Sequence, residues 1–145
     1  MKLSTILPIA LTAAATGANA LFDCQSNQHA FPPTTGKFVV HYTSIRDTEI
    51  DGEPWIRICH PSGNGWSQEE PLTMDCANEN DEYNFGTGDT GLRNTLTVIN
   101  GNGCDDGSSN LNGGSLKYGG QTRSLKGDDD NCGDRDHGIS CEFDL

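Results

Sequence analysis

The sequence predicts a small all-β domain, and three observations lead to this fold class. No stretch after residue 20 keeps the 3.6-residue period of apolar side chains that an amphipathic helix needs. Alanine, the strongest helix former, occurs after that residue only at Ala30 and Ala77. Short runs rich in Val, Ile, Phe, Tyr and Trp alternate with runs rich in Gly, Asn and Asp, which is typical of strands joined by turns. We expect about six to eight short strands in a disulfide-stapled β-sandwich or small β-barrel with long Gly-, Asn- and Asp-rich loops.

The first twenty residues have the features of a secretory signal peptide. Lys2 precedes an apolar stretch, and Ala18-Asn19-Ala20 matches the small-residue pattern at a cleavage site. The apolar part, Leu3–Ala15, is short for a membrane span and is interrupted by Thr and Pro. We therefore expect a signal peptide at 1–20, a secreted, extracellular product, and one disulfide-rich β domain at 21–145.

The charge balance limits the classes of partner. The chain has 21 acidic residues against 9 Lys and Arg, for a formal net charge of −12 at pH 7. An acidic surface repels nucleic-acid phosphates and anionic lipid headgroups, so we expect neither nucleic acid nor a membrane as a partner. It suits solubility or a cationic partner. We expect a monomer that carries no cofactor.

Six cysteines follow the predicted cleavage site, and an even number in a small secreted chain predicts three disulfides. No C-x-x-C pair occurs and no cysteine stands at zinc-finger spacing from a histidine, so no metal site is expected. We predict the pairs Cys59–Cys76 and Cys104–Cys132, which bracket turn-rich segments, and Cys24–Cys141, which ties the two termini.

The densest apolar material lies in Lys37–His60, which predicts an antiparallel pair of strands. In the first strand Phe38 and the other even-numbered residues share one face, and the odd-numbered residues share the opposite face. In the second strand Ile56 and Ile58 lie opposite the remaining apolar residues. The turn dipeptide Asp51-Gly52 is expected in the connection.

Weaker strand signals follow, separated by turns. The stretch His60–Gln68 is expected to be a turn region, and 77–85 is polar and acidic. The alternation of apolar and polar residues predicts further strands. These strands are Pro71–Cys76, Asn94–Asn100, Ser115–Tyr118, Gln121–Leu125 and, as an edge or closing strand, Gly138–Leu145.

An acidic stretch, Gly127–Asp136, contains five aspartates. Clustered carboxylates suit Ca²⁺, but the spacing of an EF-hand loop is absent and Arg135 sits among the acids. We expect a solvated loop without a tight Ca²⁺ site.

One set of residues has the groups for acid–base chemistry: His41, Glu53, Arg57 and His137. Two histidines, a glutamate and an arginine that holds phosphate are suited to cleave RNA by proton transfer. Small secreted fungal ribonucleases of the guanyl-specific kind use such a set, and Gly52–Ile56 resembles their Glu-Trp-Pro-Ile stretch with Pro and Trp transposed. The resemblance implies a ribonuclease-like hydrolase as an alternative function.

Strand geometry argues against this set. Glu53 shares a strand face with Arg57 only if the strand begins at Glu53, and Pro54 cannot donate a ladder hydrogen bond there. Arg57 is instead expected on the face of Trp55 and Cys59, with its aliphatic stem packed beside the indole. We therefore expect no catalytic residue.

The layout as a whole resembles that of the small cysteine-rich secreted proteins of filamentous fungi. A leader that ends in Ala-Asn-Ala, a short mature chain, six cysteines and the lack of a hydrolase motif carry this resemblance. Many members of that class are effectors or elicitors that act on plant hosts. The resemblance implies a non-enzymatic virulence protein that binds a host or cell-wall partner.

Three aromatic residues are candidates for contact with a partner: Trp66, Tyr83 and Phe85. Trp66 lies in a turn-rich stretch, where it either folds back over the core or stays exposed for binding. The same three residues are the candidates for a second alternative, a cell-wall or carbohydrate-binding structural protein.

Overall fold

The computed structural model describes residues 36–43, 54–62, 65–68, 71–74, 81–101, 114–135 and 138–145. The expected signal peptide at 1–20 lies outside these ranges. Within them the chain forms two antiparallel sheets and a single helical turn, which confirms the all-β prediction. The elements are β1 Lys37–Thr43, β2 Trp55–Ser62, β3 Gly65–Gln68, β4 Leu72–Thr73, β5 Glu82–Phe85, α1 Thr87–Thr90, β6 Leu96–Ile99, β7 Ser115–Tyr118, β8 Gln121–Ser124, β9 Cys132–Arg135 and β10 Gly138–Asp144.

The first sheet is built around β1, the most apolar strand. Its strand order is β3-β2-β1-β10-β9, and β4 also pairs with β2. Val40 of β1 lies opposite Ile58 on one side and Cys141 on the other, so that apolar side chains from three strands share one face. The second sheet is a meander with the order β5-β6-β7-β8. None of the helical structure in the described ranges is long and apolar enough to cross a membrane.

The two sheets contribute to one apolar core. Phe38 and Phe143 of the first sheet stack with their ring centroids 5.3 Å apart. Tyr118 of the second sheet meets the edge of Phe38 at 4.7 Å, a favourable geometry for aromatic pairs. The fully buried apolar side chains around them are Val40, Tyr42, Ile56, Ile58, Leu96, Val98, Leu116, Leu125, Ile139 and Cys141.

Several strands follow the sequence prediction closely. β1 and β2 form the predicted antiparallel pair, and β7 spans the predicted residues Ser115–Tyr118. In β6 the buried side chains alternate with half-buried ones as expected. β10 is not an edge or closing strand, because it lies between β1 and β9. Leu145, expected on the apolar face of this strand, is 51% exposed beyond its end.

Three stretches that were expected to be turn or loop are strands. They are β3 within the Gly-rich stretch, β5 within the acidic stretch and β9 within the aspartate-rich stretch. Each pairs with a more apolar neighbour, namely β2, β6 and β10. The described part of the chain therefore holds ten strands, more than the sequence predicted, because pairing with a strong strand overrides a weak local propensity.

The predicted disulfide pairing is wrong for two bonds. Cys132 is bonded to Cys141, not to Cys104, and Cys141 is not bonded to Cys24. The cause is the unpredicted strand β9, whose hairpin with β10 places the two cysteines directly opposite each other, with Cα atoms 4.1 Å apart. Cys59 is also disulfide-bonded, and its predicted partner Cys76 lies outside the described residues.

We expect Phe143→Ala to destabilise the protein by about 3–5 kcal/mol, because it removes a fully buried ring that joins the two sheets. Leu145→Ala, two residues along the chain, is the matched control and should change stability by less than about 0.5 kcal/mol because Leu145 is exposed. Urea denaturation of the oxidised protein measures both. Equal losses for the two variants would contradict the described core.

Candidate functional site

The second face of the first sheet carries a cluster of polar and aromatic side chains. The antiparallel register places His41 of β1 opposite Arg57 of β2 and opposite Ser140 of β10. Trp55 lies on the same face of β2. All four are buried, with exposed fractions of 0% for His41 and Ser140, 3% for Trp55 and 4% for Arg57. We call these four residues the buried polar cluster.

Contacts within the buried polar cluster are specific. A hydrogen bond of 3.0 Å joins Nδ1 of His41 and Oγ of Ser140. The guanidinium carbon of Arg57 lies 5.7 Å from the centre of the Trp55 ring, within the range of a cation–π interaction. The imidazole of His41 lies 5.8 Å from the same ring. These contacts stabilise groups that would otherwise be costly to bury.

Gly138 at the start of β10 allows the histidine to occupy this place. A Cβ at residue 138 would clash with the carbonyl oxygen of Tyr42 and would lie 2.8 Å from Nε2 of His41. Because the first contact is with backbone, it cannot be relieved by a side-chain rotation. The close approach of β10 to the imidazole therefore requires glycine at this position.

The structure brings together only part of the predicted acid–base set. His41 and Arg57 are direct neighbours, whereas Glu53 and His137 lie outside the described residues. Arg57 shares its face with Trp55 and packs against it, as the sequence predicted. A group that transfers protons to a substrate must come within hydrogen-bond reach of it, and neither described member of the set is exposed.

The three aromatic residues predicted to contact a partner lie on two different strands. Tyr83 and Phe85 are half-buried in β5, and both pack against the apolar core with part of each ring exposed. The backbone of Trp66 lies in strand β3 opposite Pro61, not in a loop, and its side chain is outside the described part of the structure.

Asp129 organises the turn between the two sheets, which was expected to be a solvated acidic loop. Its carboxylate accepts hydrogen bonds from the backbone N–H of Ser124 at 3.1 Å and from the backbone N–H of Asn131 at 2.9 Å. Its carbonyl oxygen accepts the N–H of Cys132 at 2.8 Å. One residue thus ties the end of β8 to the start of β9.

The environment of Asp129 lowers the pKa of its carboxyl below the ordinary value of 3.8. Burial raises the pKa, but the hydrogen bonds from Asn131 and Ser124 and the nearby Arg123 guanidinium together lower it by more. One carboxylate oxygen of Asp129 accepts a hydrogen bond from Ser124 and the other accepts from Asn131, so the residue stabilises the turn. No group of three or more His, Cys, Asp or Glu suited to a metal ion occurs among the described residues.

Comparison with known proteins adds no relative. No protein-family model matches the sequence, and no curated protein and no solved structure matches it.

We expect Asp129→Ala to cost about 1–2 kcal/mol at pH 7, because three hydrogen bonds to the carboxylate are lost. A pKa lowered by folding contributes stability above the ordinary value of 3.8, and that stability is lost as the pH falls through the folded pKa. The difference from wild type should therefore shrink on acidification. Urea denaturation at pH 7 and at pH values below 3.8 measures this.

Asp128→Ala is the matched control, since Asp128 is the exposed neighbour of Asp129. It should change stability by less than about 0.5 kcal/mol at either pH. If the two variants behave alike, Asp129 does not hold the turn.

Proposed function

We propose that the chain is a secreted, non-enzymatic binding protein of the effector or elicitor type, which acts outside the cell on a host or cell-wall partner. The observation that carries this proposal is the burial of the buried polar cluster. His41 and Arg57 have the chemistry for catalysis, but at 0% and 4% exposure they meet packed neighbours and not solvent. The protein then acts by binding a partner through the surface of the domain.

The disulfides favour an extracellular place of action. Cys59, Cys132 and Cys141 are all bonded, and no cysteine in the described part of the chain is free. Disulfides persist in oxidising compartments and are rare in the cytosol of ordinary cells. This agrees with the leader-like sequence at 1–20, whose small-residue pattern ends at Ala20.

The placement of the aromatic residues favours a protein partner over a polysaccharide. Sugar-binding surfaces use exposed aromatic rings as flat platforms, whereas Tyr83 and Phe85 turn toward the core and expose only part of each ring. Glu82, Asn84 and Asp89, which lie close to them in the chain, are exposed. Exposed carboxylates on a chain with a formal net charge of −12 complement a cationic partner.

The test uses the oxidised protein from a secreting host. We expect it to leave single-stranded RNA intact over a range of pH, and not to be retained on chitin, cellulose or glucan. We expect Glu53→Gln, which removes the proposed acid–base carboxylate, to retain the binding of the wild-type protein to extracellular protein partners.

Two results would favour the alternative functions, a ribonuclease or a carbohydrate-binding protein. RNA cleavage that disappears in Glu53→Gln would establish the ribonuclease reading and overturn the proposal. Retention on a polysaccharide that is displaced by the free sugar would establish the carbohydrate-binding alternative.

A further inference from the structure

The second sheet ends in an edge strand, β5, whose backbone groups point outward at two positions. The N–H of Asn100 donates to the carbonyl of Asp81 at 3.0 Å, which fixes the phase of the β5–β6 ladder. Backbone groups in an antiparallel pair alternate between the partner strand and the free edge. Glu82 and Asn84 therefore present their N–H and C=O groups away from β6, and no described residue hydrogen-bonds to those groups.

The opposite edge of the same sheet is partly covered by the chain itself. The outward N–H of Ser124 in β8 donates to the Asp129 carboxylate at 3.1 Å. The outward carbonyl of Thr122 accepts from the Arg123 guanidinium at 3.3 Å. In the first sheet, the outward N–H of Cys132 in β9 donates to the Asp129 carbonyl. Covered edges of this kind prevent pairing with other chains, and β5 has no such cover among the described residues.

The free end of β10 is closed in a similar way. The side-chain amide of Gln121 donates to the carbonyl of Asp144 at 3.0 Å and accepts from its N–H at 3.0 Å, in imitation of a neighbouring strand. Nε of Arg123 donates to the carbonyl of Glu142 at 2.7 Å. These bonds cover part of the β8, β9 and β10 edges, whereas no described residue covers the outward groups of Glu82 and Asn84. On the described part of the chain, β5 therefore offers an edge at which another strand can add.

We propose that the β5 edge binds an extended basic segment of a partner protein, which adds to the second sheet as a fifth strand. This proposal rests on the proposed function and names the chemistry of the partner. Main-chain hydrogen bonds to Glu82 and Asn84 supply affinity in such strand addition, and the side chains that alternate along the edge supply specificity.

The two faces of β5 define the residues that the segment needs. Tyr83 and Phe85 lie at the core side with part of each ring exposed, so the segment places apolar side chains there. Glu82 and Asn84 lie exposed on the other face, where the segment places Lys or Arg. Glu142 at the closed end already pairs with Lys37 at 2.6 Å, whereas Glu82 makes no ion pair in the described structure. The partner segment is therefore an alternation of apolar and basic residues.

The probe is a synthetic capped peptide of alternating Lys and Val, about six to eight residues long. Fluorescence anisotropy with the full oxidised chain should show saturable binding that weakens with added salt, because the Glu82 contact is exposed. A Glu–Val peptide of equal length should not bind. Amide exchange at Glu82 and Asn84 should slow in the complex.

Asn84→Pro is the decisive variant. The outward N–H of Asn84 takes no part in the β6 ladder, so proline preserves that ladder, while its ring removes the donor and obstructs the edge. We expect binding to weaken by about tenfold or more. Thr122→Pro is the matched control, an outward position on the partly covered β8 edge, and should change affinity by less than about twofold.

Thermal unfolding establishes that both proline variants are folded. If Asn84→Pro does not fold, a Lys–Val peptide N-methylated at alternate backbone nitrogens is tested on wild type, and equal binding of this peptide would overturn the proposal. So would unchanged affinity in a folded Asn84→Pro variant, or equal binding of the Glu–Val peptide. Salt-insensitive dimerisation of the free chain that Asn84→Pro abolishes would assign the edge to a second copy instead.

The experiments distinguish a failure of the β5 edge site from a failure of the proposed function. Lack of peptide binding by a protein that still binds its extracellular partner would overturn the edge site alone. RNA cleavage that needs Glu53 would overturn the proposed function, whatever the peptide does.

Discussion

Burial of both faces of the central strands is the constraint on which the rest of the structure depends. One face of β1, β2 and β10 packs through Phe38 and Phe143 against Tyr118 of the second sheet. The other face bears the buried polar cluster. On that face His41 bonds to Ser140, and the Trp55 ring lies beside both His41 and Arg57. The first sheet therefore buries side chains on both of its faces.

Side chains at the junction of the two sheets also bond to backbone groups at the strand edges. Asp129 and the side chains of Gln121 and Arg123 close the backbone edges near the junction of the two sheets. Those same contacts link β8 to β9 and β10, so stability and edge protection come from one set of hydrogen bonds. β5 lies at the far side of the second sheet, where no described residue bonds to the outward backbone groups of Glu82 and Asn84.

The residue content of each strand explains which strands the sequence could predict. β1 was predictable because it is rich in Val, Phe and Tyr, and β6 because its buried residues recur at every second position. β9 is Cys-Gly-Asp-Arg, which has little strand propensity of its own, whereas β5 is a short alternating Glu-Tyr-Asn-Phe inside an acidic stretch. Both are strands because they pair with the more apolar neighbours β6 and β10.

The candidate site was predictable only in part, for the same reason. The position of Arg57 beside Trp55 follows from strand alternation alone. The pairing of His41 with Arg57 and Ser140 depends on the register of three strands, which the sequence does not specify. Burial of the second face was also hidden, since alternating polar residues are typical of a face in water. The Cys132–Cys141 bond was missed because it needs the unpredicted strand β9.

Hydrogen–deuterium exchange at the imidazole C2 position of each histidine tests the burial of both faces of the first sheet most directly. His41 is 0% exposed, while His60 at the β2 end is half-buried and serves as the internal reference. Because exchange at C2 requires contact with solvent, His41 in the native protein should exchange much more slowly than His60 and should match it only after unfolding. Exchange of His41 at the rate of His60 under native conditions would contradict the burial of the second face.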